Sequence, residues 1–258
     1  MTQRDAVPPP EISIVVPTYN ESGRIAELVE TVCGVYRDGG IRGELVVVDD
    51  NSPDGTGRIA DSLTGRHPMT VVHRAGKLGL GSAVMEGFQA ANAPIVGVMD
   101  ADFSHPPSVL PDLLAHMRRT GADVVVGSRY IAGGAAENWT AGRLLMSRFA
   151  CALAWPLTPV RDATSGFFLI RRDIIEGVRI QAGGFKILLE LLMRSPVRSV
   201  TEVPYVFVDR TTGESKMSLR EAMGYFTQLR QLYGVKWAGR ATRPKYLQQE
   251  RTESRPGS

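Results

Sequence analysis

The chain has 258 residues, 43% of them hydrophobic and 22% charged, with a formal net charge of +3. That length suits one large α/β domain with a modest appendage, and so small a charge gives no basic surface for nucleic acid. The longest apolar stretch, Leu144 to Val160, is broken by Arg148, Pro156 and Pro159, so it falls short of the roughly 18 uninterrupted apolar residues of a membrane span. The N-terminus lacks the charged-then-apolar pattern of a secretory signal. Cys33 and Cys151 stand alone and far apart, which fits buried small hydrophobes in a reducing cytoplasm. From Arg240 onward five basic residues face two acids, so the basic excess sits in the tail.

Residues 1–10, with Pro8-Pro9-Pro10, read as a disordered lead-in. Ile12 to Val16 is a β-branched strand ended by Pro17, and Asn20 and Glu21 look like the cap and first turn of a helix carrying Ile25, Leu28, Val29, Val32 and Val35 at helical spacing. Leu45 to Val48 is a second strand, closing on Asp49-Asp50; turn chemistry at Asn51 to Thr56 opens a short helix. Thr70 to His73 is a third strand, and the Gly-rich run Gly76 to Ser82 leads into a helix over 82–91. Ala93 to Met99 is a short continuous apolar run ending in Asp100-Ala101-Asp102, a buried parallel strand with a polar tip. Pro106-Pro107 starts a helix that stops near Gly121, and Val124 to Val126 is a fifth strand running into Gly127-Ser128-Arg129-Tyr130. This alternation predicts an α/β fold, a mostly parallel sheet with helices on both faces. Beyond it lie a Gly/Ala loop over 131–140, a helix over 141–153, a short strand over 167–170, a helix over 185–193 and a strand over 200–208 interrupted by Pro204. Arg210 to Lys216 is a polar loop, and Ser218 with Glu221 forms a capping box for a last helix. The expected division is a catalytic unit over 11–216, an amphipathic helix over 217–239 and a polar tail over 240–258.

Ligands of open parallel sheets bind beyond the carboxyl ends of the strands, where this order places Pro17, Tyr19, Glu21, Asp49-Asp50 and Asp100-Ala101-Asp102. Two acids at one strand tip invite a hard divalent cation and through it a diphosphate, or else serve as a helix cap and a solvated turn acid. Tyr19 can stack on a base, and Lys77 either reaches an anion or is a solvated surface lysine. No GxGxxG or GxxxxGK[ST] occurs, which removes the main support for classical dinucleotide and P-loop readings. The second half supplies positive charge at Arg129, Arg143, Arg148, Arg161, Arg210 and Lys216. Arg143 and Ser147 are four apart, hence on one helix face, a pairing suited to a phosphate.

The stretches Val16 to Glu21, Val48 to Thr56, Lys77 to Ala83 and Met99 to Pro107, with Gly127-Ser128-Arg129-Tyr130, Glu137-Asn138-Trp139, Arg161 to Gly166 and Gly213 to Lys216, resemble the family-2 inverting glycosyltransferases of the GT-A fold, of the dolichol- or polyprenol-phosphate mannose synthase type. The resemblance covers residues 11–235. It implies that Pro17, Tyr19, Glu21 and Asp50 line a nucleoside pocket with Lys77 nearby, and that Asp100, Ala101 and Asp102 meet the donor. Asp100 and Asp102, with Ser104, would hold Mg²⁺ or Mn²⁺, Asp102 as the direct ligand and Asp100 alternatively on the donor's ribose or sugar. Arg129, Arg143 and Ser147 would take the acceptor phosphate, with Asp102, Arg129, Arg210 and Lys216 as the catalytic groups. The chain departs from the pattern at Ala163, where relatives carry Cys, and at Gly183-Gly184-Phe185-Lys186, which bears on sugar identity.

The implied reaction moves a hexose, mannose from GDP-mannose by family similarity or glucose from UDP-glucose, onto a polyprenyl phosphate. Such an acceptor is already an oxyanion and needs no general base. A soluble hydroxyl acceptor would need one, and Asp162 or Glu190 are the candidates. A lipid acceptor implies an enzyme at the cytoplasmic face of a membrane, held by the C-terminal helix or by a separate membrane-anchoring protein. Leu219, Met223, Phe226, Leu229, Tyr233 and Trp237 would form that helix's apolar side, unless the same side packs on the catalytic unit.

Overall fold

The computed structural model describes residues 8–180, 186–208, 219–239 and 241–248, the side chains of 219–222 excepted. The expectations for residues 1–7, Arg210, Lys216, the Ser218–Glu221 capping box and the end of the tail lie outside the described residues.

The elements follow in chain order as β1 (Ile12–Thr18), α1 (Ile25–Asp38), β2 (Gly43–Asp49), α2 (Thr56–Asp61), β3 (Met69–His73), α3 (Leu80–Ala90), β4 (Ile95–Val98), α4 (Leu110–Thr120) and β5 (Val124–Ser128). Then come β6 (Ala135–Glu137), α5 (Ala141–Ala154), β7 (Phe168–Arg171), α6 (Arg172–Ile175), α7 (Ile187–Arg194), β8 (Ser199–Pro204), β9 (Val206–Val208), α8 (Leu219–Trp237) and β10 (Lys245–Tyr246). Eight strands form one sheet in the order β10-β8-β5-β7-β4-β1-β2-β3, all parallel except β7, which runs antiparallel between β4 and β5. Every residue of β2 is buried and β1 nearly so, the mark of central strands covered on both faces.

One core layer packs α1 and α4 on one face of the sheet around Leu28, Val32, Leu45, Leu113 and Phe167. A second packs α3 and α7 on the other face around Val15, Val48, Phe88, Leu188 and Phe168. The helix α3 approaches so closely that a Cβ at Gly87 would strike Val15 and Val48. A third cluster joins Ala154, Leu157, Leu189, Met193, Tyr225, Leu229 and Leu232.

Two expectations are corrected. Asn20 is no helix cap: it sits at φ 60°, and α1 starts only after Arg24. The segment 200–208 is two strands. The chain leaves the main sheet after Pro204, which lacks the N–H to continue a ladder, and β9 pairs with β6 out of the supposed loop 131–140. The apolar side expected of the last helix packs in part: Leu229 is buried and Tyr233 packs with it, joined by Tyr225 and Leu232, while Met223, Phe226 and Trp237 stay exposed. Its Tyr225 and Tyr233 hydroxyls donate to the Ala150 and Leu153 carbonyls of α5, at 2.6 and 2.7 Å. No helix of the described residues is long and apolar enough to cross a membrane.

Candidate active site

The neighbours β4, β1 and β2 end side by side, and each runs into a residue at positive φ: Phe103 at 63°, Asn20 at 60° and Asn51 at 57°. Asn tolerates this region, but a bulky residue adopts it at a cost, so Phe103 marks a turn held by its surroundings. It aims the acidic tip. Asp102 Oδ1 accepts from the Ser104 amide at 3.0 Å and the Ser104 hydroxyl at 2.5 Å. His105 Nδ1 accepts from the Asp100 amide at 3.0 Å, and its ring stacks on Phe167 at 5.0 Å. Burial lowers the His105 pKa, in keeping with a neutral ring that accepts. Asp100 remains nearly half exposed.

The nucleoside side is equally pre-formed. The amides of Asn20, Glu21 and Ser22 donate to Ser52 Oγ, Thr56 Oγ1 and Asp54 Oδ2 at 3.0, 2.9 and 3.0 Å, which ties the β1 loop to the β2 loop. Tyr19 is exposed with Lys77 Nζ 4.4 Å over its ring, and Pro17 is half-buried one residue before the end of β1. Asp50 is buried and bonded to Arg74, whose guanidinium also reaches Glu86 at 3.1 Å and Ser82 Oγ at 2.5 Å. Burial raises the Asp50 pKa against the pull of Arg74. Arg74 went unread in the sequence. Its one signal is its place directly after the last residue of β3.

On the other side of the crevice, Gly166 lies against His105 and Asp100, a Cβ there falling 3.9 Å from the Asp100 carboxylate oxygens. That contact brings the segment 161–166 beside the acidic tip. Arg129 is 8% exposed and committed to Asp162, donating through Nε and Nη2 at 2.7 Å each. Burial would discharge this guanidinium, and the Asp162 carboxylate outweighs that and holds it charged. Asp162 in turn takes the Arg129 amide at 3.0 Å and gives its own to Glu202 at 3.0 Å. Arg129, assigned to the acceptor phosphate and to the catalytic groups, is thus a charged guanidinium held in a fixed orientation by Asp162, and its guanidinium carbon shares the Trp139 ring with Arg143. Ser104, assigned to the metal with the two acids, is buried and orients Asp102 by donating its hydroxyl to that carboxylate.

Arg143 and Ser147 do share a face of α5. Thr140 Oγ1 caps that helix by accepting the Arg143 amide at 3.3 Å. Tyr130 Oη donates to Ser147 Oγ at 2.7 Å, and the guanidinium carbons of Arg143 and Arg129 lie 4.3 and 5.1 Å from the Trp139 ring. Lys186 also belongs to this region, electrostatically coupled to Arg129, Asp162 and Asp100, and burial lowers its pKa.

The described residues hold no ready cluster of three or more metal-ligating side chains. The donor set that is present fits a hard cation all the same. It is all oxygen, and two carboxylates leave most positions of a Mg²⁺- or Mn²⁺-sized ion to diphosphate oxygens and water.

A mostly parallel sheet with acids at three adjacent strand ends and a cationic far wall defines a nucleotide-sugar transferase of the GT-A class. The chain belongs to glycosyl transferase family 2, whose model matches residues 13–179. It is 38% identical over 237 residues to a dolichol-phosphate mannosyltransferase of Pyrococcus furiosus, covering 90% of this chain and 66% of that one. It is 35% identical over 238 residues to a dolichol-phosphate mannosyltransferase of Saccharomyces cerevisiae, covering 88% of each. Among solved structures it is similar to the mannosyltransferase PcManGT from Pyrobaculum calidifontis in complex with GDP-Man and Mn²⁺, with a TM-score of 0.61 and 20% identity over 86% of this chain and 64% of that one. The protein is thus a glycosyltransferase. It spans about two thirds of the archaeal relative's length.

Proposed function

We propose that the protein transfers mannose from GDP-mannose to a polyprenyl or dolichyl phosphate, with inversion, at the cytoplasmic face of a membrane. The observation that carries this reading is the fate of the two carboxylates a hydroxyl acceptor would need. Asp162 is fully buried with both oxygens on Arg129. Glu190 is 1% exposed, accepts from Gln228 Nε2 at 3.3 Å and lies 3.6 Å from Arg194. Neither reaches an acceptor, so an acceptor that is already an anion suits the site best. The relatives' names supply the substrate class, and the complex of PcManGT with GDP-Man and Mn²⁺ supports the donor and the need for a divalent ion.

In this reading Tyr19, Pro17, Glu21 and Asp50 border the nucleoside, Asp50 fixed by Arg74, with Lys77 over Tyr19. Asp100 and Asp102 would hold the cation, which would supply positive charge against the donor diphosphate, and Ala101 spaces them. Arg129, Arg143 and Ser147 bind the acceptor phosphate, on a shelf that Trp139 and Tyr130 complete. Arg210 and Lys216 are assigned to the two phosphates from their motif alone. Positioning and electrostatic stabilisation then do the catalysis.

The test is a panel of radiolabelled nucleotide sugars, each with one polyprenyl phosphate and Mg²⁺ or Mn²⁺, followed by organic extraction. Label from GDP-mannose should enter the organic phase, and chelation should prevent it. Preference for UDP-glucose would overturn the donor, and label that stays in water on a soluble acceptor would overturn the lipid.

A further inference from the structure

Beside the shelf, Tyr130, Arg148, Cys151, Trp155 and Arg161 line a groove of about 590 Å³. Arg148 lies 5.6 Å over the Tyr130 ring and Arg243 lies 4.9 Å over the Trp155 ring. Arg148, Arg161 and Arg243 are exposed and make no ion pair among the described residues. Along α5, Leu145 (71% exposed) and Phe149 (57%) form a stripe that helical spacing puts between this groove and α8, since α8 bonds to the carbonyls of Ala150 and Leu153. Met223, Phe226 and Trp237 of α8 are exposed as well. The helix α5 contains no Asp or Glu.

We propose that this face docks on an anionic bilayer, with the phosphate of a phospholipid headgroup seated among Arg148, Arg161 and Arg243 beside Trp155. Three observations select a lipid surface over a protein partner. The stripe is aliphatic and aromatic without a single acid, tryptophans stand at its margins where an interfacial ring settles, and the cations are gathered in a groove at its flank. The groove adjoins the shelf through Tyr130, which bonds to Ser147, but takes its cations from Arg148, Arg161 and Arg243, so its headgroup is a bulk lipid's beside the substrate. For its purpose the inference rests on the lipid-acceptor reading, since a docked α5 would bring Arg143 and Ser147 to the headgroup layer.

Flotation of the full-length protein, without donor or metal, on vesicles of phosphatidylcholine with or without phosphatidylglycerol tests it. Wild type should bind the anionic vesicles at least tenfold better. Each arginine near such a surface contributes about fivefold, so Arg148→Gln/Arg161→Gln should bind them about 25-fold more weakly. Leu145→Ser/Phe149→Ser should lose binding to both kinds of vesicle. Turnover of a short-chain polyprenyl phosphate in detergent should stay within about twofold in both variants, which reports an intact fold and tests the transferase reading apart from docking. Equal flotation on neutral vesicles, charge variants that bind like wild type, or displacement from vesicles by 10 mM inorganic phosphate at constant ionic strength would each overturn the headgroup assignment. Self-association that disappears in Leu145→Ser/Phe149→Ser, with no vesicle binding by wild type, would make the stripe a contact between copies instead.

Discussion

At the ends of β1, β2 and β4 the acids stand in loops locked by short-range hydrogen bonds, and Asp100 and Asp102 still face the crevice. Past β5 and β7 the corresponding charge, Arg129, is paired with the buried Asp162, and Ser147, which accepts from Tyr130, rides with Arg143 on a helix. The first region has a buried pair of its own, Asp50 with Arg74, alongside the half-exposed Asp100. The second converts a buried ion pair into a platform. A charged side chain at a strand end is thus half exposed in one place and bound to a buried partner in another, and Asp50 and Arg129, each 8% exposed, put the second arrangement in both regions.

The largest effect should come from the acidic tip. Asp102→Ala removes an exposed-side carboxylate and should lower kcat/KM by ~10³-fold, about 4 kcal/mol of transition-state stabilisation, with the urea midpoint almost unmoved. Near-wild-type turnover with metal present would erase the contrast between the regions. Asp162→Ala should do the reverse. It strands the Arg129 charge, which costs about 3–5 kcal/mol in stability, seen as a lower urea midpoint at unchanged m-value. Arg143→Ala should be milder, raising the acceptor KM about tenfold while the donor KM moves less than about twofold, an interaction of about 1.4 kcal/mol. A larger effect on the donor would exchange the two phosphate sites.

Much of the first region was legible because its signals are local. Continuous apolar runs marked β1, β2 and β4 as buried strands, and the acids that follow them fall at strand ends in any parallel arrangement. The i,i+4 pairing of Arg143 with Ser147 was legible for the same reason. What escaped depends on contacts across the fold. Arg74 meets Asp50 only because β2 pairs with β3. Arg129 meets Asp162 because the antiparallel β7 inserts between β4 and β5, a placement no sequence period encodes. Which residues of α8 face inward could be read only in part, because exposed aromatics and buried ones share its surface and the partner α5 decides between them.

The smallest effect concerns a buried charge that is absent. His116 of α4 is buried, its Nε2 lies 3.1 Å from Thr201 Oγ1, and its Nδ1 accepts from Arg119 Nη2 at 2.7 Å. Burial, helped by Arg119, lowers its pKa, so the folded ring is neutral. In the unfolded chain the ring protonates near its ordinary value of about 6.5. Below that pH the unfolded state binds the extra proton and folding loses free energy, so this part of the stability is present above about pH 6.5 and drains as the pH falls. Unfolding free energy measured by urea between pH 7.5 and 5.5 should therefore decline on the acid side, by less than about 1.4 kcal/mol per pH unit for one group. His116→Gln should flatten that slope while leaving the pH dependence of donor binding alone, since His116 contacts Thr201 in β8 and lies away from the acidic tip. A slope that survives the substitution would shift the titration to another buried group, with His105, stacked behind Asp100, the first to examine.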